Sequence, residues 1–363
     1  MLHPSFTFNG LQYDSVEELL LFAEKLVKDG DEHEVQIGKF IQQWLNEKEA
    51  VKVKTSGSTG NPKKIRLQKE LMINSAKATG TFFKTGARTS ALLCLSANYI
   101  AGKMMLVRAM TLGWDLHVVA PEKDALTQYD NDYDFVAMVP YQVFHSLPSL
   151  KKVKKLIVGG GVISEILDEK LQEIPTEVFA TYGMTETISH IAVRRVNGPA
   201  RTKVFSALPN VKFSTDSREC LVIYAPEINE EIVVTNDLVK LITPTSFEWL
   251  GRYDYVINSG GIKIHPEVVE EKLSKAITLP FIIASESDEE LGERVILILE
   301  TKNETQVPNY AEAFSELEPF ERPKKIYTLS QFPYTDTEKV KRKDVLKVLG
   351  KYKKSSNTPK KTE

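Results

Sequence analysis

Apolar positions recur at helical spacing near the start of the chain. Leu19, Leu20, Phe22, Ala23, Leu26 and Val27 follow Ser15 and Glu18, the spacing of a capping box, and a second run from about His33 to Leu45 carries Val35, Ile37, Phe40, Ile41 and Trp44. Both predict packing helices that suggest no chemistry. From Val51 to Tyr182 the period alternates. β-rich runs at 91–95, 116–119, 135–139, 155–158 and 177–180 are separated by helical patterns at about 68–83, 100–111 and 164–172. Such alternation predicts a mostly parallel sheet covered by helices, which binds ligands beyond the carboxyl ends of its strands. After Tyr182 come short strands without helices between them, at 191–196, 221–225, 231–235, 239–243 and 247–250, predicting a small antiparallel β unit. Beyond Gly251 the pattern becomes a compact α+β module, with helices at 266–275, about 309–317 and 340–349 and strands at 281–285, 294–300 and 325–329.

The fold class predicted is therefore α/β. An N-terminal domain over 1–251 and a small α+β C-terminal domain over 252–350 meet at Gly251–Asp254, and 351–363 form a flexible basic tail. The length of 363 residues agrees with two or three domains, and 42% hydrophobic with 26% charged residues excludes a largely disordered or fibrous chain.

Charge narrows the function. A net charge of -2 argues against nucleic acid as a partner, and the ten Lys or Arg of Lys339–Glu363, facing only Asp344 and Glu363, read as a solvated end. Cys94 and Cys220 lie in apolar runs and build no disulfide framework, as expected in a reducing, cytoplasmic setting. No basic-then-apolar leader is visible, and the most apolar window, Ala91–Met110, is broken by Asn98, Lys103 and Arg108, so no membrane span is expected. Oligomeric state is left open.

The richest chemistry lies in Thr55-Ser-Gly-Ser-Thr-Gly-Asn-Pro-Lys-Lys64, after the strand-like Val51–Lys54. Thr55, Ser56, Ser58 and Thr59 supply hydroxyls, Gly57 and Gly60 allow close backbone approach, and Lys63 adds charge, a donor set suited to a polyphosphate. It is not a Walker loop, because the second Walker glycine falls on Pro62 and the hydroxyl after the lysine on Lys64. Gly159, Gly160 and Gly161 follow another strand and precede a helix. With Ser164 in the third glycine position they make a weak dinucleotide fingerprint, but a reasonable place for a flat ligand.

Taken with three further stretches, the loop resembles the adenylate-forming superfamily of acyl-CoA synthetases, adenylation domains and luciferases. Tyr182-Gly-Met-Thr-Glu-Thr187 is similar to the family's adenine and magnesium motif, Gly251-Arg-Tyr-Asp254 to its ribose and hinge segment, and Pro333–Arg342 to the segment with its catalytic lysine, all in the family's order. The resemblance implies an abbreviated adenylate-forming domain followed by a mobile lid. Thr55–Lys63 would hold phosphates, Tyr182 and Gly183 would meet adenine near Gly159–Gly161, Thr185 would contact the α-phosphate, and Glu186 would bind Mg2+. Asp237 and Arg252 would meet the ribose, Asp254 would be the hinge, Lys339 the catalytic lysine, and Ser259, Gly260 and Gly261 would face CoA. Asn236, Tyr255 and Glu338 depart from the family's usual residues.

Only 54 residues precede Thr55, fewer than in full-length members, and this short form resembles the o-succinylbenzoate-CoA ligases of menaquinone biosynthesis. The implied activity is a two-step ligation: ATP and a carboxylic acid give an acyl-adenylate, and CoA then takes the acyl group as a thioester. Tyr99, Lys103 and Arg108 would line the acid site, with either cation on the acid's second carboxylate, the alternative being that both side chains reach the surface. A carrier-protein-loading enzyme and a non-catalytic nucleotide-binding module are the competing expectations.

Overall fold

The computed structural model describes residues 2–54, 64–127, 130–302, 307–335 and 340–356. The described residues up to 235, together with 239–249, form one compact unit, and residues 236–238 with those from 250 onward form a second.

The first unit opens with a hairpin of β1 (Thr7–Phe8) and β2 (Leu11–Gln12), turned by Asn9 and Gly10 at φ of 50° and 76°, the positive values that a two-residue hairpin turn needs. Helix α1 (Val16–Asp29) starts where the capping signal predicts. Ser15 Oγ accepts from the Glu18 N–H at 3.1 Å, and the Glu18 carboxylate accepts from the Asp14 N–H. Helix α2 (Glu32–Leu45) follows, then the antiparallel pair β3 (Ala50–Lys54) and β4 (Lys64–Gln68), and helix α3 (Lys69–Phe83).

The alternating region is β5 (Ser90–Leu93), α4 (Ile100–Leu112), β6 (Asp115–Val118), β7 (Tyr133–Met138), α5 (Pro140–Ser146), β8 (Val153–Val158), α6 (Glu165–Leu171) and β9 (Glu177–Gly183). Its strands are parallel neighbours in the order β9-β8-β7-β5-β6. Strands β10 (His190–Arg195), β11 (Val204–Ala207), β12 (Lys212–Thr215), β13 (Cys220–Ala225), β14 (Asn229–Thr243) and β15 (Ser246–Arg252) extend that same sheet, which has 13 strands among the described residues. The antiparallel strands expected after Tyr182 are thus continuous with the parallel part, and the runs at 231–235 and 239–243 are one strand, β14.

Both faces of the parallel region are buried. Ala91, Phe135, Ala137 and Ile157 join the core beneath α1 to α4, while Leu92, Val136, Leu156, Val158 and Val178 join a second core with Val143 of α5 and Leu167 and Leu171 of α6. Helix α4 is buried without interruption from Gly102 to Met110, as befits a helix that is apolar nearly all round.

The second unit contains the hairpin β16 (Ile257–Ser259) and β17 (Ile262–Ile264), α7 (Pro266–Leu273), β18 (Phe281–Asp288), β19 (Gly292–Glu300), α8 (Ala311–Ser315), β20 (Lys325–Leu329) and α9 (Arg342–Ser356). Alternate residues again divide between two cores: Ile283, Val295 and Leu297 pack with Val269 and Leu273 of α7, and Ile282, Ile296 and Ile298 with Val345 and Leu349 of α9. Helix α9 runs seven residues past the predicted end at Leu349, into the stretch expected to be a frayed tail.

Candidate active site

The parallel strands determine where the first unit's candidate residues gather. Chain order reverses at β5, whose neighbours are β6 and β7, and the segments leaving β5, β7, β8 and β9 emerge at one edge of the sheet. From β5 come Tyr99, at the N-cap of α4, and then Lys103 and Arg108; from β8 come Gly159–Gly161; from β9 come Tyr182–Glu186. Gly160 has φ +77°, and a Cβ at Gly159 would stand 2.5 Å from Thr181 Oγ1, so side chains are disfavoured at these two positions of the turn.

Tyr182 is half-buried and meets Phe247 edge-on, centroids 5.1 Å apart, with Phe247 stacked on Phe205. Thr185 and Glu186 lie in a short 3-10 turn closed by Thr187, whose Oγ1 accepts from the Met184 N–H at 3.0 Å. Glu186 is exposed. Its carbonyl accepts from Asn229 Nδ2, and its carboxylate makes no ion pair among the described residues, so it suits a hard divalent cation. The next residue but one, Ile188, holds φ +64°, a conformation that costs a β-branched side chain on the order of 1–3 kcal/mol and persists only where its surroundings impose it.

The two cations of α4 are both buried and have different environments. Lys103 Nζ donates to the carbonyls of Ala97 and Asn98 at 2.7 and 2.9 Å, tying down the turn before α4, and lies 5.8 Å from the Phe40 ring centre. Arg108 is 2% exposed. Its Nη2 donates to Ser189 Oγ at 2.5 Å and lies 3.3 Å from His190 Nδ1, its Nε donates to Thr79 Oγ1 at 3.3 Å, and its Nη1 faces Met105 Sδ at 3.8 Å. No carboxylate pairs with it among the described residues. Burial accordingly lowers its pKa to about 9, and burial together with the Arg108 charge lowers that of His190 well below the ordinary imidazole value.

In the second unit, Arg252 Nη1 meets the buried Asp237 at 3.4 Å, and its Nη2 meets Asp254 at 3.3 Å, within the 3-10 turn Tyr253–Tyr255. Tyr255, an unusual residue at that position, lies under the Arg342 guanidinium, 5.3 Å from its ring centre. Arg342 pairs with Glu270 and donates to the Ile283 carbonyl at 3.0 Å. Burial raises the Glu270 carboxyl to about 7 and raises Glu267 as well, and Glu267 Oε2 is buried without a hydrogen-bond partner among the described residues. Gly260 and Gly261, at φ of 58° and 82°, form the two-residue turn between Ser259 and Ile262.

Thr55, Ser56, Gly57, Ser58, Thr59, Gly60, Lys63 and Lys339 lie outside the described residues. The side chains that sequence reasoning missed are Thr79, Ser189 and His190 around Arg108, and Glu267 and Glu270 beside the hinge segment. Only Ser189 and His190 carried any signal, through their position just after Glu186.

Comparison with known proteins narrows the reading. The AMP-binding enzyme family matches residues 46–213. An acyl-CoA synthetase (AMP-forming)/AMP-acid ligase II-like protein from Dyadobacter fermentans DSM 18053 is 33% identical, with 91% of this chain and 98% of that chain covered and a TM-score of 0.61. The chain belongs to the adenylate-forming superfamily. Among curated relatives, the 2-succinylbenzoate–CoA ligase of Escherichia coli strain K12 is 26% identical over 268 residues, 69% of this chain and 58% of that protein, so this adenylate-forming chain spans less than two thirds of that relative's length. The O-succinylbenzoate coenzyme A synthetase of Bacillus subtilis, solved with ATP and magnesium ion, shares the fold, with a TM-score of 0.70 at 19% identity over 81% of this chain and 69% of that one.

Proposed function

We propose that this chain is an AMP-forming acid–CoA ligase acting on o-succinylbenzoate. The observation that carries the reading is Arg108, a buried guanidinium with no acidic partner among the described residues, bonded to Ser189 just after the Tyr182–Thr187 segment. A cation held this way costs stability unless an anion meets it. o-Succinylbenzoate has one carboxylate to activate and a second to be recognised, and the 2-succinylbenzoate–CoA ligases among the relatives support that choice of acid.

The reacting carboxylate is ionised at pH 7, since its solution pKa is about 4, and attacks the α-phosphorus of ATP without a general base. A phosphorus–oxygen bond forms, the bond to the bridging oxygen breaks, and pyrophosphate departs. Positioning and charge stabilisation then account for the rate. Gly159–Gly161 and Tyr182 would receive adenine, Asp237 and Arg252 the ribose, Thr185 the α-phosphate, and Thr55–Lys63 the departing phosphates. Mg2+, held by Glu186, would neutralise phosphate charge. Lys339 would meet charge at the α-phosphate in this step. In the second step, rotation about Asp254 would withdraw Lys339 and bring Ser259–Gly261 to CoA, whose thiol takes the acyl group and releases AMP. A cytoplasmic location fits these substrates.

The purified protein should be incubated with ATP, Mg2+ and CoA against a panel of o-succinylbenzoate, benzoate, succinate and a fatty acid, with AMP and thioester quantified. CoA-dependent o-succinylbenzoyl thioester is expected. Thioester only on a carrier protein, turnover of a different acid, or ATP binding with no AMP from any acid would each replace this reading.

A further inference from the structure

Five polar groups meet inside the first unit: Arg108 on α4, Thr79 and the Ser75 carbonyl on α3, and Ser189 and His190 entering β10. Their donor and acceptor capacities admit one arrangement. A guanidinium only donates. Arg108 Nη2 and Ser189 Oγ both lie 3.3 Å from His190 Nδ1, and a proton on Nδ1 would set two N–H groups against each other, so Nδ1 is an acceptor. The proton of the neutral ring is then on Nε2, 3.4 Å from Thr79 Oγ1. Thr79 directs its own hydroxyl proton to the Ser75 carbonyl at 3.0 Å, which leaves its lone pairs for Nε2–H of His190 and Nε–H of Arg108.

We propose that His190 is a positioning residue, held neutral in the Nε2–H tautomer, which with Thr79 fixes the Arg108 guanidinium so that Nη1 is the end offered to the acid's second carboxylate. Nε and Nη2 are committed to protein acceptors. Among the described residues, Nη1 faces only the Met105 sulfur at 3.8 Å, a weak acceptor on an unbranched side chain that can yield to a carboxylate. Among the described residues, the groups that His190 meets by hydrogen bond or ring contact are Arg108, Thr79, Ser189 and the edge of the Phe83 ring, and Arg108 is the one charge among them. Burial beside that charge disfavours imidazolium, in keeping with the tautomer that the hydrogen bonds require. A protonated ring would oppose the guanidinium and release it from this pose.

The kinetic arm of the test rests on the proposed reaction; the spectroscopic arm does not. His190→Asn keeps an acceptor where Nδ1 stood, and His190→Phe keeps a ring without one. The Phe variant should raise KM for the acid at least about tenfold and leave KM for ATP within about twofold, and the Asn variant should recover most of the loss. Equal effects of the two variants, or a rise in KM for ATP to match, would overturn the assignment. In 15N spectra of histidine-labelled protein, with the His190 signals identified by their loss in the Asn variant, neutral Nε2–H imidazole is expected from about pH 6 to 8. A titrating imidazolium or an Nδ1–H tautomer would overturn the proposal whichever acid the enzyme uses. Failure of wild-type turnover with o-succinylbenzoate would instead count against the substrate alone.

Discussion

Gly183 and His190 are paired across β9 and β10 so closely that only a glycine fits. A Cβ at Gly183 would stand 2.6 Å from His190 Cα and 2.3 Å from the Ser189 carbonyl oxygen, both of them backbone atoms that a side-chain rotation cannot move. Just beyond this pair the register shifts at Ile191, a bulge that re-aims the strand next to the candidate site. Gly183→Ala should therefore destabilise the fold by about 1–3 kcal/mol and displace Ser189 and His190 from Arg108. Denaturant unfolding together with KM for the acid checks both parts. A variant with wild-type stability and wild-type KM would show that the crossing is looser than the geometry requires.

Arg108 should separate binding from stability. Arg108→Lys and Arg108→Met both lose the anchoring fork, at a cost of about 2–5 kcal/mol in acid recognition, while ATP binding is unaffected. Because the guanidinium is buried among neutral partners, Arg108→Met should hold or raise Tm. A fall of more than about 4 °C would mean that the cation stabilises the free fold. Lys103→Ala should do the reverse, lowering Tm by freeing the turn before α4. If acid KM is unchanged in all three variants, α4 does not bind the acid.

Glu270 makes stability depend on pH. Its folded pKa, about 7, lies above the ordinary 4.5 because burial outweighs the attraction of Arg342. A carboxyl shifted upward contributes stability fully below its unfolded pKa, and that contribution is lost as pH rises through the folded value. Glu267 is shifted in the same direction by burial. The second unit should be less stable near pH 8 than near pH 5, and Glu270→Gln should flatten the dependence. Parallel pH profiles of unfolding free energy for wild type and variant would rule this out.

Lys339→Ala should divide the proposed half-reactions. Charge develops at the α-phosphate only during adenylation, so pyrophosphate release should nearly vanish while thioester formation from supplied acyl-adenylate survives. Comparable loss in both assays would indicate a structural role.

Asp254 is the position at which the proposed rotation can be blocked. Asp254→Pro fixes φ near -65°, within the range of the 3-10 turn it occupies, and should spare adenylation while CoA transfer falls. Asp254→Ala also loses the contact with Arg252 but leaves φ free, so it separates the two effects. Wild-type rates of both half-reactions in a folded Pro variant would move the pivot elsewhere, Tyr255 first.

The sequence by itself determined what depends on local periodicity and local chemistry. Helix α1 starts at the Ser15 cap, the strands from β5 to β9 stand where β-rich runs alternate with helices, and the Tyr182–Thr187 motif lies at a strand end because a glycine, hydroxyls and an acid follow an apolar run. Tertiary structure decided the rest. Arg108 could have been a surface cation until packing placed it against Ser189 and His190, 81 and 82 positions away, and Thr79 became its partner only because α3 lies against α4. Tyr255 departs from the family's usual residue, and only the fold sets Arg342 over its ring. Hydrophobic period carries the identity of an element and the face it buries, but the partner of a buried charge is chosen by which elements the core brings together, and no spacing along the chain records that choice.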